Sequence, residues 1–273
     1  MSRFDLSNRG SSISRKSGPR IIDVHTHIQF AAFDSDRDAV IKRTLDAGIW
    51  LINVGTDRDM SKSAIELANK YKTGVYATVG LHPTDIDEKF DYNFYKRLAA
   101  DPKVVAIGEC GLDYFRLSEE TKAKQKEVFI KQIELAHEVG KPLMIHCREA
   151  FQDLIGIFNT QHSSLNTKPG VCHFFSGTIE DAGKLINLGF SFSFGGVVTF
   201  AREYEKPIKF IPLDRILLET DAPYVAPQAY RGKRNEPLYI EEVAKKIAQI
   251  LDKDFEEIAE QTTKNAIKVF GLK

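Results

Sequence analysis

A net charge is the first property that this sequence lacks. Its 273 residues include 38 Lys and Arg against 38 Asp and Glu, so the formal net charge is zero. A chain without a global field exerts little long-range attraction on nucleic acid or on an anionic membrane. Any binding of a polyanion must therefore depend on a local group of basic residues.

Long apolar runs and a cysteine framework are also missing. No apolar stretch approaches the roughly 20 residues that a membrane-spanning helix requires. The three cysteines are few and odd in number, which does not suggest a disulfide scaffold and fits a reducing cytosol. We therefore expect a cytoplasmic protein with no membrane association, and the sequence implies no obligate protein partner.

Residues 1–20 differ in composition from the rest of the chain. They contain five basic residues, one acidic residue and six serines, and they lack the apolar core of a secretory signal. A flexible, solvated tail is the favoured interpretation, although this composition is also compatible with an organellar transit peptide. We expect residues 21–273 to form a single domain.

Eight short apolar segments follow the tail and alternate with amphipathic stretches. Their order predicts parallel βαβ units, hence a barrel or an open doubly wound sheet. Helices are predicted from Ser118 to Gly140 and from Thr178 to Gly189, with two more near 237–251 and 254–270. The eight segments begin near residues 21, 48, 74, 103, 141, 169, 189 and 214.

Polar residues cluster where these predicted strands end. Strict alternation in "IIDVHTHI" would place Asp23, His25 and His27 on one face of the first strand. In a (β/α)8 barrel the carboxyl ends of the strands converge on one mouth, whereas an open sheet would spread them apart. The barrel is therefore favoured, with extra C-terminal helices. The polar residues at strand ends are His25 and His27 (first strand), Glu109 (fourth), His146 (fifth), His173 (sixth) and Asp221 (eighth).

Four imidazoles and two carboxylates that converge on one point indicate a metal centre. Without a cation, such a buried cluster would carry a heavy desolvation cost. Cys110, Cys147 and Cys172 adjoin these residues, and strand alternation predicts that they pack away from the mouth rather than bind metal. His82, in "GLHPTD", is predicted either to touch substrate or to support the turn. Asp23 is predicted to orient a ligand or to play a structural role.

The motifs "DVHTHI", "IGECGLDY", "IHCREA", "CHFFSG", "ETDAPY" and "RGKRNEP" resemble those of the TatD family of metal-dependent deoxyribonucleases. The resemblance implies a TIM-like barrel, one or two metal ions and hydrolysis of DNA. It also implies that His25, His27, Glu109, His146, His173 and Asp221 are metal ligands. Thr84 stands where the family often has another histidine.

The ligand set suggests roles for individual residues. Glu109 is the carboxylate placed to bridge two cations, with His25, His27 and Asp221 completing one site and His146 and His173 the other. Asp221 is the expected proton acceptor, so Glu109 and Asp221 are the predicted catalytic residues. Mixed oxygen and nitrogen donors do not select among Mg²⁺, Mn²⁺ and Zn²⁺.

Basic residues near the predicted mouth are candidates for phosphate contacts. Arg148 lies two residues beyond His146, and Arg231, Lys233 and Arg234 occupy the loop after the eighth strand. A charged loop is also commonly just solvated, so these loop residues have two interpretations.

A barrel mouth and a neutral chain suit a strand end better than a continuous duplex. We therefore expect exonuclease action on single-stranded or frayed DNA, and the 3′ polarity comes from the resemblance alone. The rival interpretation is a small-molecule amidohydrolase or lactonase on the same barrel. Glu109 argues against it, because many such enzymes carry a modified lysine at the fourth strand.

Overall fold

The structure, a computed structural model, describes residues 18–85, 89–115, 118–160 and 169–273. Residues 1–17 of the predicted tail lie outside these ranges. Arg20, the last residue assigned to that tail, already belongs to the fold. Its backbone N–H donates to the carbonyl of Gly48 at 2.8 Å, and its guanidinium donates to Glu241 Oε1 at 2.5 Å.

Eight parallel strands close into a barrel in chain order, which confirms the predicted (β/α)8 architecture. The first and last strands pair at Asp23 and Leu218 and so complete the ring. The strands are β1 (Ile21–Thr26), β2 (Ile49–Val54), β3 (Val75–Val79), β4 (Val104–Asp113), β5 (Leu143–Arg148), β6 (Gly170–Cys172), β7 (Ser191–Phe194) and β8 (Ile216–Leu218).

Helices surround the barrel, and the predicted ones are present. Ser118 and Gly140 bound the long fourth helix: the Ser118 hydroxyl accepts from the N–H of Thr121, and Gly140 adopts the left-handed conformation that ends helices. The α-helices are α1 (Arg37–Asp46), α2 (Arg58–Asn69), α3 (Tyr92–Ala99), α4 (Glu119–Val139), α5 (Phe151–Thr160), α6 (Ile179–Asn187), α7 (Glu205–Phe210), α8 (Ile240–Leu251) and α9 (Phe255–Phe270).

The fourth strand is longer than the sequence predicts. Glu109 does not end β4, because pairing with β5 continues from Cys110 to Asp113 after a register shift. Gly108 and Gly111 have φ values of 147° and 137°, which residues with a side chain rarely adopt. These glycines therefore let the strand continue through the register shift. The shift places Glu109 in the mouth while the strand carries Asp113 further out.

Strict alternation also fails in the first strand. Ile22 and Val24 join the apolar cluster inside the barrel, and the pairing of β1 with β2 shifts between Asp23 and Thr26. Asp23 therefore does not simply continue the face of His25 and His27. Its carboxylate accepts hydrogen bonds from the N–H and the hydroxyl of Thr220, at 3.0 and 2.5 Å, and so ties β1 to the segment after β8.

Two apolar layers flank the strands. The outer layer, between strands and helices, includes Cys110, Cys147 and Cys172, which confirms the prediction of buried, unpaired thiols. The inner layer fills the barrel below the mouth and includes Met144, Val171 and Phe270 of α9. None of the helices in the described ranges combines the length and the apolar character needed to cross a membrane.

Candidate metal centre

The mouth of the barrel brings together all six residues predicted as metal ligands. His25, Glu109 and His146 belong to β1, β4 and β5, while His27 and His173 directly follow β1 and β6. Asp221 lies after β8, where its backbone N–H donates to the carbonyl of His25 at 2.9 Å. The site is therefore built on, or just after, the carboxyl ends of five strands.

The two oxygens of Glu109 face two different groups of imidazoles. Oε2 lies 3.4 Å from Nε2 of His25 and 3.9 Å from Nε2 of His27. Oε1 lies 2.8 Å from Nε2 of His173 and 3.0 Å from Nδ1 of His146. A single carboxylate thus stands between the two histidine pairs.

Asp221 completes the first group. Its Oδ1 lies 3.4 Å from Nε2 of His27 and 3.7 Å from Nε2 of His25. One ligand atom each of His25, His27 and Asp221 lies within 4.8 Å of the other two. The same is true of one ligand atom each of His25, Glu109 and His173. Such spacing is compatible with a common cation for each group.

Each of the four imidazoles of His25, His27, His146 and His173 turns one nitrogen toward the cluster. Nε2 of His25 and Nε2 of His27 lie 3.2 Å apart, and Nδ1 of His146 and Nε2 of His173 lie 3.3 Å apart. Nδ1 of His27 donates to the carbonyl of Val54 at 2.9 Å, which leaves a lone pair on Nε2 of the neutral ring, toward the cluster. These buried His, Glu and Asp clusters are consistent with a binuclear metal site.

The imidazoles and carboxylates of the cluster stabilise each other's charged forms. Burial alone would raise the pKa of Glu109, but the imidazoles of His173, His82 and His25 hold it well below its usual range. Burial would lower the pKa of His173, but Glu109 raises it well above the ordinary value. Protons on the imidazoles can therefore balance the carboxylates when no cation does so.

His82 lies beside the cluster and contacts the turn that follows it, and its predicted contact with substrate remains a prediction. Its Nε2 lies 3.3 Å from Glu109 Oε1, and its ring meets that of His146 edge-on at 4.5 Å. Its Nδ1 accepts a hydrogen bond from the N–H of Thr84 at 3.2 Å. The hydroxyl of Thr84 also lies 2.7 Å from this Nδ1, so the backbone and side chain of Thr84 together hold the ring of His82. With Glu109 and His146, His82 forms a third group of suitable ligands.

Sequence reasoning missed Asp113. Its Oδ2 lies 2.9 Å from Nε2 of His146, and its Oδ1 accepts from the N–H of Phe115 at 2.9 Å. Glu109, Gly111 and Asp113 occupy every second position of an extended strand, so they share one face of it. This spacing was the available signal, and it was hidden by the assumption that β4 ended at Glu109.

A pocket of about 620 Å³ opens above the cluster. Arg148 lines it, with its guanidinium 3.7 Å from the centre of the Phe115 ring. Arg234 lies outside the lining and donates from both terminal nitrogens to Asp36, each at 2.7 Å. Arg231, also outside the lining, packs over Phe200 at 4.3 Å. The roles in substrate binding predicted for these three arginines remain predictions.

A (β/α)8 barrel with such a cluster at the carboxyl ends of its strands has the architecture of a metal-dependent hydrolase. Residues 22–271 match the sequence model of the TatD related DNase family. The chain belongs to this family, as the sequence motifs predicted.

Curated relatives cover nearly all of the chain. The uncharacterized metal-dependent hydrolase YabD of Bacillus subtilis is 40% identical over 92% of this chain and 99% of its own length. The uncharacterized metal-dependent hydrolase YcfH of Escherichia coli K12 is 35% identical over 92% of this chain and 96% of its own. The 3′-5′ ssDNA/RNA exonuclease TatD of Erwinia amylovora is 35% identical over 92% of this chain and 100% of its own.

Solved structures support the fold. The TatD homologue YJJV of Escherichia coli K12 superposes with a TM-score of 0.85 at 29% identity, covering 93% of this chain and 99% of its own. A TatD family hydrolase from Entamoeba histolytica gives 0.82 at 24% identity, with coverage of 93% and 99%. At 24% identity, the similarity to the Entamoeba histolytica protein supports the fold alone.

Proposed function

We propose that this protein is a divalent-metal-dependent deoxyribonuclease that removes nucleotides from the 3′ end of single-stranded or frayed DNA. The observation that carries the proposal is the position of Glu109, whose two oxygens face two separate histidine groups. A carboxylate bridge between two cations is typical of sites that hydrolyse phosphate esters. The 3′-5′ exonuclease name of relatives at about 35% identity supports the polarity.

In this proposal, Glu109 would be a ligand shared by two cations. His25, His27 and Asp221 would hold one of them, and His146 and His173 would hold the other. When bound, the cations supply Lewis-acid stabilisation of the phosphoryl oxygens and lower the pKa of water. Their identity among Mg²⁺, Mn²⁺ and Zn²⁺ is left to experiment, because the donor set does not select one.

Asp221 is proposed to accept the proton of the attacking water at a carboxylate oxygen. Its side chain lines the pocket and is 17% exposed, so it can reach substrate as well as the cluster. Burial would raise the pKa of Asp221, but His27, His25 and His173 lower it below its ordinary value. The group is therefore ionised at neutral pH and able to take up a proton.

Arg148 is proposed to hold a phosphate next to the scissile bond. Its fork can bind two phosphate oxygens at once, and the Phe115 ring beneath it limits its freedom before substrate arrives. A pocket rather than an open groove, together with zero net charge, favours a strand end over continuous duplex.

Digestion of a 5′-labelled single-stranded oligonucleotide tests the proposal. With added divalent cation we expect a ladder that shortens from the 3′ end, and with chelator we expect no digestion. A closed single-stranded circle is the matched substrate without ends, and its cleavage at a comparable rate would indicate an endonuclease. Inertness on all nucleic acids, with hydrolysis of a small amide or lactone, would establish the rival function.

A further inference from the structure

We infer that Tyr224 is a stacking platform for the terminal nucleobase of the substrate strand. The inference rests on the proposed function and adds a binding subsite to it. Tyr224 lines the pocket next to the metal centre, and it is the most exposed large hydrophobic residue in the described ranges, at 52%. An aromatic ring kept in water at the edge of a binding pocket is available to stack on a planar ligand.

The ring of Tyr224 lies beside two rings that adjoin or belong to the metal centre. His27 stacks on Phe30 with ring centres 4.6 Å apart, and Phe30 meets Tyr224 at 6.5 Å and 76°. The Tyr224 ring itself lies 6.4 Å from the ring of His27. Three aromatic rings therefore lead from a proposed metal ligand to the rim of the pocket.

The backbone of Tyr224 is also held in place. Its N–H donates to the carbonyl of Asp221 at 2.9 Å, and its carbonyl accepts from the side-chain amide of Asn235 at 2.7 Å. The platform is therefore attached to the same turn that presents Asp221. A preorganised aromatic surface loses little entropy when a base stacks on it.

The pocket has the distribution of chemistry that a nucleotide requires. Tyr224, Phe30 and Val225 give the pocket an aromatic and apolar group. Arg148 provides a cation in the same lining, which also includes the carboxylate and imidazole cluster. A phosphodiester held at the cluster would leave the attached base within reach of the Tyr224 ring. Stacking requires only the flat face of a base, so we expect this subsite to tolerate all four bases.

The test measures kcat/KM on two oligonucleotides that differ only at the 3′ terminus. One ends in a normal nucleotide and the other in a stable abasic analogue. For the wild-type protein we expect faster release of the normal nucleotide. Tyr224→Ala should lower kcat/KM on the normal end by about 5- to 150-fold, the range for loss of one base–aromatic stack. On the abasic end the variant should match the wild type.

Two variants separate stacking from other roles of Tyr224. Tyr224→Phe should retain the preference for the normal end, because the ring and not the hydroxyl stacks. Phe210→Ala, which removes a 47% exposed aromatic of α7 outside the pocket lining, should change nothing. Metal content and thermal stability should be unaltered in all three variants.

Each outcome decides one question. An equal loss on both oligonucleotides in Tyr224→Ala would overturn the stacking role and assign Tyr224 to the support of Asp221. An unchanged kcat/KM of Tyr224→Ala on both oligonucleotides would also overturn it. If the wild-type protein digests neither oligonucleotide with any cation, the proposed nuclease function itself fails, and this result is distinct from the other two.

Discussion

Asp113 and Nε2 of His146 lie 2.9 Å apart, so that Nδ1 of His146 is the nitrogen that faces Glu109. His27 is bound the other way round: its Nδ1 donates to the carbonyl of Val54, and its Nε2 faces the cluster. Each ring is thus held through the nitrogen that points away from the proposed metal. Asp113, which accepts this hydrogen bond, sets both the tautomer and the orientation of His146.

Asp113→Asn should weaken metal binding without unfolding the barrel. The amide keeps the size of the side chain but loses the charge that favours an N–H on Nε2 of His146. Loss of such a partner typically lowers metal affinity about 10- to 100-fold. Isothermal titration with Mn²⁺ or Zn²⁺ would measure this change. Asp153→Asn is the matched control, because Asp153 accepts from the hydroxyl of Tyr114 at 2.7 Å and touches no proposed ligand. Equal affinity in both variants would refute the role of Asp113.

Glu109→Gln and Asp221→Asn should fail in different ways. The first removes the proposed bridge, so both metal content and turnover should drop. The second should retain more metal but lose most activity, since an amide cannot take up a proton; general-base losses are typically about 10²–10⁴-fold. Elemental analysis together with the oligonucleotide assay distinguishes the two. Near-normal turnover in either variant would contradict the assigned roles.

Arg148→Ala and Arg234→Ala should separate substrate capture from structural support. Arg148 lines the pocket, so its loss should raise KM more than it lowers metal content. Arg234 is bound by Asp36, so its loss should lower the melting temperature and leave KM close to that of the wild type. The two substitutions remove the same charge, which makes each the control for the other. A larger rise of KM in Arg234→Ala would restore that residue to the substrate site.

Removal of metal should make stability depend on pH in a defined direction. In the metal-free protein the pKa values of His146 and His173 are raised by their carboxylate partners, despite burial. Their contribution to stability is complete below the unfolded value of about 6.5 and is lost as pH rises through the folded pKa values. Burial and His173 lower the pKa of His25. Above about pH 6.5 this ring is therefore neutral in both the folded and the unfolded protein, and it does not oppose the loss of stability with rising pH.

Bound metal competes with protons for the same nitrogens, so metal binding strengthens as pH rises. The difference in melting temperature between metal-loaded and chelated protein should therefore widen from pH 6.5 to pH 8.5. Scanning calorimetry with matched metal-loaded and chelated samples would measure it. A constant difference across this range would show that these histidines do not bind the cation. Elemental analysis of the loaded samples should give one to two cations per chain.

The sequence predicted those parts of the fold that regular periodicity encodes. Ser118 and Gly140 mark the ends of α4 because capping and left-handed backbone chemistry are local properties. The convergence of His25, Glu109 and Asp221 followed from barrel topology. Asp113 and the placement of Asp23 were missed for one reason: β4 and β1 each contain a register shift, and such a shift depends on the neighbouring strand rather than on local pattern.

The packing of α9 against the barrel limits how a substrate and its product can enter and leave the site. Phe270 and Leu272 fill the end of the barrel opposite the pocket together with Val24 and Val171, so within the described residues no passage runs through the centre. A strand that enters the mouth would meet a dead end. In the proposed exonuclease reaction, each released mononucleotide would leave by the opening through which the strand came in and would compete there with the shortened end for the same space. For that reaction we expect an enzyme that releases its polymer between cuts rather than one that threads it continuously.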